Sequence, residues 1–288
     1  MAPVRVRNGA GWEGEIEAAW LRSVIKSPRE IRTLQVHLED LRYLVFMPPE
    51  DVREAIDRGK KPPLSRYPKA AAYIRWGEGQ GYQERPTCAG RRWWWDLGER
   101  APANFIWPMI HNDRLALAVH KPLIVVDHNL FEITSPHGSL LAGSAAATYQ
   151  ALVKELLGRV NLGQGAMKTE GVDIVQLIVV NPTSMPSSLQ ARLLSAFSRL
   201  SQRPIRSIFE ELGFSLCRKR GCDHPEHPYE HVHPGKLTLE QVKNASPDRY
   251  ELDSVVFDVL GLSDEERLAV YRAVAELVKN RLVKARSV

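Results

Sequence analysis

Hydrophobic period changes partway along this sequence, and a chain that does so must mix sheet with helix. Before Pro182, "NFIWPMI", "RLALAVH" and "LIVVDHNLFEI" are short β-rich runs broken by "HND", "KP" and "DHN", the pattern of neighbouring antiparallel strands. After it, "SSLQARLLSAFSRL", "RPIRSIFEELG", "ELDSVVFDVLGL" and "SDEERLAVYRAVAELVKNRLVKAR" read as helices. Pro204 opens and Gly213 stops the second of these, while Ser263 and Glu266 form a capping box at the start of the last. The expected fold class is α+β: a mixed, mainly antiparallel sheet domain over residues 1–185, then a helical unit over residues 186–288, with the boundary near Pro182–Ser188.

Finer elements follow from local signals. "TLQVHL" alternates Leu34, Val36 and Leu38 with polar residues, as a half-buried strand does. "MPPEDVREAIDRG" is a short helix closed by Gly59, and "YPKAAAYIRWGEG" is another, ended by Gly77 and Gly79. "SLLAGSAAATYQALVKELLGR" reads as one amphipathic helix with Leu141, Ala145, Tyr149, Leu152 and Leu156 on one stripe. The turn after it leads into "DIVQLIVVNP", which reads as a strand.

Composition excludes several classes. With 288 residues, 44% hydrophobic and 25% charged, the chain buries a real core. No apolar run has membrane-spanning length, and the first twenty residues lack the apolar stretch of a signal peptide, so a cytoplasmic protein is expected. Three cysteines do not suggest a secreted disulfide framework.

Charge is unevenly distributed. Residues 58–121 hold twelve Lys or Arg against five Asp or Glu, a balance of +7 that exceeds the +5 of the whole chain. The same segment carries Tyr67, Tyr73, Trp76, Tyr82, Trp107 and the run "RPTCAGRRWWWDLG", in which Trp93–Trp95 follow Arg91 and Arg92. Two readings of that run stand: indoles filling a core, or guanidinium and indole together forming a nucleic-acid or ligand surface. Gly163-Gln164-Gly165 is not a dinucleotide or Walker loop, because it lies between a helix and a strand in the wrong order.

"CRKRGCDHPEHPYEHVH" places Cys217, Cys222, His224 and His227 in one compact loop, with His231 and His233 close behind. Two thiols and two imidazoles are the number and type of ligands that a tetrahedral zinc needs, and four protein ligands would make it structural. A solvated His-rich loop is the alternative.

The series "IKSPRE", "YIRWGEG", "RPTCAGRRWWWDLG", "FIWPMIHNDR", "VDHNLFEI", "GRVNLGQGAMKTEGVDI" and "LDSVVFDVLGLSDEERLAVYRAVAELVKNRL" resembles one family over nearly the whole chain. It is similar to the C-terminal half of large adenine-specific (N-6) DNA methyltransferases, including fused type IIG restriction–modification enzymes and related phage-defence methylases. That half contains the target-recognition domain. The family's catalytic tetrapeptide (Asn or Asp, two prolines, an aromatic) does not occur, since "VNPTSM" has one proline and "FMPPE" lacks both end residues. Its Gly-rich loop for S-adenosylmethionine (SAM) does not occur either. The resemblance therefore implies a noncatalytic DNA-recognition portion whose partners are double-stranded DNA and a SAM-dependent methyltransferase domain, in cis or in trans.

Recognition beside a flipped base needs forks to base edges and cations to phosphates. By residue type, Arg91, Arg92, Trp94, Asn112, Arg114, Gln164 and Lys168 are the DNA-facing candidates; Asn112 and Asp113 would equally suit a turn between strands. A metal-dependent nuclease pattern is not convincing around Pro247-Asp248, and no DNA cleavage by this chain is expected. The competing function is a zinc-dependent hydrolase or nuclease centred on Cys217–His233.

Overall fold

The computed structural model describes residues 2–98, 103, 105–115, 117–119, 124–158, 160–161 and 165–285. It is α+β and forms two compact units, one of Met1–Ile25, Leu41–Pro102 and Leu123–Val125, the other of Lys26–Asp40, Ala103–Pro122 and Val126–Val288. Among the described residues no helix is long and apolar enough to cross a membrane.

In the first unit, β1 (Pro3–Arg7) and β2 (Glu13–Glu17) form an antiparallel hairpin, and β3 (Leu21–Ile25) pairs antiparallel with β4 (Tyr43–Phe46). Helices α1 (Glu50–Asp57), α2 (Pro68–Gly79) and α3 (Pro86–Ala89) follow. Ile16, Trp20, Val52, Ala70, Ile74 and Trp95 make the core. Pro68 opens α2 with no side-chain cap from its own N-cap residue, so the first N–H groups need a distant acceptor. Glu17 supplies it from the end of β2: its carboxylate accepts from the N–H of Lys69 at 2.9 Å and of Ala70 at 2.8 Å. Negative charge at a helix N-terminus also suits the dipole.

The second unit holds β5 (Phe105–Pro108), β6 (Ile110–His111), β7 (Ala118–Val119), β9 (Leu130–Ile133), β10 (Val160–Asn161) and β11 (Met167–Lys168); β8 (Val125–Val126) lies at a division between the units. Strands order as β7-β5-β9 and β10-β11-β6, two small sheets whose pairings are antiparallel, and Gln35 adds an isolated parallel bridge to Val119. Its helices are α4 (Gly138–Ala145), α5 (Thr148–Leu157), α6 (Gly171–Ile174), α7 (Ser187–Ser201), α8 (Ile208–Glu211), α9 (Leu239–Ala245), α10 (Pro247–Leu260) and α11 (Asp264–Lys284). Leu34, Phe105, Trp107 and Leu117 share one hydrophobic core with Leu193, Phe197, Leu252 and Val256. The C-terminal helices thus complete the core of the strands.

Four local expectations change. The single helix over 139–159 breaks into α4 and α5, because buried side chains of α10 take the backbone groups that would continue it. Asp253 accepts from both the N–H and the hydroxyl of Thr148, each at 2.7 Å, and Arg249 donates to the Ala146 carbonyl. "DIVQLIVVNP" forms no strand: a reciprocal cap between Glu170 and Asp173 starts a helical turn, leaving Val172, Val175 and Ile178 exposed. Residues 33–38 make isolated bridges instead of a strand. The helix expected from Pro204 starts only at Ser207, because the Ile205 N–H donates to the Arg32 carbonyl at 2.8 Å.

Candidate nucleic-acid interface and metal loop

The tryptophan run is a scaffold. Trp95 is buried against Trp20, ring centroids 5.4 Å apart, and Trp93 lies 6.0 Å from Trp95. Trp94 packs beside Tyr82 and over Gly77, where a Cβ would come within 2.4 Å of its indole. Only glycine in α2 admits that ring. Trp12, Tyr73, Trp76 and Tyr82 continue the aromatic contacts, with Tyr73 and Trp76 stacked at 5.5 Å. Trp94 therefore sits within the scaffold that holds the adjoining arginines.

Arg91 and Arg92 are exposed and come from the loop after α3. The Nη1 of Arg91 donates to the Asp96 carbonyl at 3.3 Å. The side chain of Asp96 is in turn held by Arg53, with Nη1 to Oδ2 at 2.9 Å. Burial acts to raise the Asp96 carboxyl, but hydrogen bonds from Arg53 and the Gly98 N–H outweigh it and hold it below the usual carboxylate range. The Nη2 of Arg92 donates to the Gly59 carbonyl at 3.0 Å, which joins this loop to the exposed stretch Arg58, Lys60 and Lys61. The bond ties two basic segments together, and within the stretch at 58–61 Arg58 is paired with Glu54 at 3.1 Å. Beside them, Lys61, Arg75 and Trp93 line an open cleft of about 640 Å³. The stretch "RGKK" at 58–61 was readable in the sequence only as part of a charge excess; its meeting with Arg92 was not.

The other candidates lie in the second unit. Asn112 is exposed, and its carbonyl accepts from Arg281 Nη2 at 2.8 Å. Arg114 donates to the Ile31 carbonyl at 3.1 Å and lines a cleft of about 490 Å³ with Arg32 and Arg206. Lys168 on β11 pairs with Glu170 at 2.6 Å. Gln164 lies outside the described residues, while Gly165 packs against α11, its carbonyl accepting from Arg281.

Behind Asn112 sits a buried ionic cluster that sequence reading missed. Glu155 holds Arg281 at 2.7 Å, and burial drives Lys154, which rests over the Trp107 ring at 4.8 Å, down to about 7. Burial and the charge of Lys154 push His111 down to about 4. Among the described residues, neither His111 ring nitrogen has a hydrogen-bond partner; Nε2 is 3.8 Å from Glu155, too far for one. The adjoining cavity is only about 20 Å³, room for a single water and too small for a substrate. The only hint in the sequence was a lysine inside the apolar run "ALVKELL".

The cysteine loop does gather ligands, in a different set. Donor atoms of Cys217, Cys222, His227 and Glu230 lie within 4.8 Å of one another and could hold a metal ion. His224 is exposed and outside the group, its Nδ1 accepting from the Glu226 N–H at 3.1 Å. Glu230 follows His227 by three residues, a spacing that sequence reading passed over in favour of a second histidine. Tyr229 and Val232 are buried on either side of Glu230 and anchor the loop in the core of Phe209, Phe214 and Val274.

No known protein family and no curated protein matches the chain. Among solved structures it is similar to the type IIG restriction endonuclease BpuSI, at 14% identity and a TM-score of 0.44. That likeness covers 84% of this chain and 26% of the enzyme, so the chain spans about a quarter of that enzyme's length.

Proposed function

We propose that the chain is the DNA sequence-recognition portion of an adenine-specific DNA methyltransferase or restriction–modification enzyme. In this reading it holds duplex DNA in register, in the cytoplasm, while a separate SAM-dependent domain methylates the extruded adenine. The observation that supports it best is the Arg92–Gly59 hydrogen bond, which ties the exposed loop of Arg91 and Arg92 to the exposed stretch that carries Lys60 and Lys61, beside a packed aromatic core. Cations fixed by their backbone meet phosphates with less ordering cost than cations on a mobile loop. The family resemblance of the sequence points the same way. Asn112, Arg114 and Lys168 are the candidates of the second unit. A structural zinc in the Cys217–Glu230 loop is the cofactor of this reading.

Fluorescence anisotropy of a labelled random-sequence duplex tests it, at low and moderate salt, with the chain and an Arg91→Ala, Arg92→Ala double variant. Binding should fall with salt, and the double variant should bind more weakly with a log–log salt slope shallower by about 2 if each arginine neutralises one phosphate. Absence of salt-dependent binding at low salt would refute the reading for this chain.

A further inference from the structure

We infer that Cys217, Cys222, His227 and Glu230 form a closed four-coordinate zinc site in which Glu230, and not His224, is the fourth ligand. The assignment rests on the metal reading above. Two thiolates with an imidazole and a carboxylate are a donor set for zinc; magnesium and calcium take oxygen ligands. Bonds of about 2.0–2.3 Å imply ligand separations of roughly 3.3–3.8 Å around a tetrahedron. Cys222 Sγ lies 3.7 Å from Glu230 Oε1, within that range, and His227 Nδ1 lies 3.8 Å from the same oxygen, about 0.4 Å longer than a nitrogen–oxygen edge requires. The widest, at most 4.8 Å, needs to close by about 1 Å.

The carboxylate carries the argument. Glu230 Oε2 is buried with no hydrogen-bond partner among the described residues, while the same carboxylate places Oε1 beside Cys222 and His227. A buried carboxylate whose second oxygen has no donor carries an under-compensated charge, and a dication bound at Oε1 offsets that charge. The backbone fixes the donors from outside the site. Cys217 donates its N–H to the Pro228 carbonyl at 2.9 Å, and His227 donates its own to the His224 carbonyl at 2.9 Å, a turn that leaves His224 on the exterior. From α11, Lys279 reaches the Glu226 carboxylate at 2.7 Å and the Val232 carbonyl at 2.9 Å, clamping both sides of the Glu230 segment. With four protein ligands no coordination position is left for a reacting water, so the ion braces this loop and does no hydrolysis.

The test is metal content and affinity of the purified chain, by elemental analysis and competition with a chromophoric chelator, together with visible spectra after Co(II) exchange. Wild type and His224→Ala should each hold one zinc and give the intense ligand-field bands of tetrahedral thiolate-bound Co(II). Glu230→Gln should lose affinity at least about tenfold, Cys217→Ser more, and Glu230→His, which supplies an alternative zinc donor, should regain the tetrahedral spectrum. Wild type that takes up no zinc would overturn the metal reading itself. Zinc lost from folded His224→Ala but retained by Glu230→Gln would leave that reading intact and overturn the Glu230 assignment. If Glu230→Gln does not fold, a Glu230→His protein that folds without the tetrahedral spectrum would overturn it too.

Discussion

Arg92 and Gly59 are 33 residues apart, yet the guanidinium of one donates to the carbonyl of the other at 3.0 Å. Gly59 sits at φ +68°, a left-handed conformation that a side chain disfavours. The carbonyl that receives Arg92 is therefore aimed by a residue with no side chain, directly between Arg58 and Lys60. Gly59→Ala should cost about 1 kcal/mol in urea unfolding and weaken duplex binding without removing any charge. Unchanged affinity in a folded variant would show that the joint between the two basic segments does not matter for binding.

Gly77→Ala tests the scaffold. In an ordinary helix the change is favourable, but here the new Cβ meets the Trp94 indole at 2.4 Å. A net loss of about 1–3 kcal/mol is expected. Combining it with Trp94→Leu should recover part of the loss, a coupling that a double-mutant cycle measures directly.

Asp253 is fully buried and accepts from Thr148 twice and from the Tyr271 hydroxyl at 3.1 Å. Asp253→Ala leaves Arg249 buried with less compensation and should cost about 3–5 kcal/mol. Thr148→Val removes one donor and should cost about 1–3 kcal/mol. Chemical denaturation followed by far-ultraviolet circular dichroism gives both values.

The buried basic groups make stability depend on pH with a definite sign. Lys154 titrates at about 7 when folded against 10.5 when unfolded, so between these values the unfolded chain holds a proton that the folded chain lacks. Raising pH through that window should stabilise the fold, and below about pH 7 the cost of burying the ammonium is present in full. His111, at about 4 against 6.5, should destabilise the fold as pH drops from 6.5 to 4. Lys154→Met should flatten the alkaline slope and raise stability at pH 7. An unchanged slope in that variant would remove Lys154 as its source.

What was legible in the sequence was local. The Ser263–Glu266 capping box stands at the start of α11, and the β-rich runs pair antiparallel as their turn signals imply. The break between α4 and α5 was not legible, because the residue that makes it, Asp253, lies 105 positions from Thr148, and "AAATY" holds neither glycine nor proline to mark it. The tryptophan run left two readings open, since only the partners of each indole decide between core and surface; Trp20 and Gly77 proved to be those partners. In the cysteine loop three of the four gathered residues followed from composition and spacing. The fourth depended on a turn at residues 224–227 that directs His224 outward.

The crowding of indoles also has an optical consequence. Six of the seven tryptophans, Trp12, Trp20, Trp76, Trp93, Trp94 and Trp95, belong to the first unit, and only Trp107 to the second. Intrinsic fluorescence and exciton-coupled near-ultraviolet dichroism therefore report on the first unit almost alone, whereas far-ultraviolet dichroism weighs the helices α4 to α11 of the second. Followed together through one melt, the two signals would show whether the basic segment can loosen while the helical core stays folded.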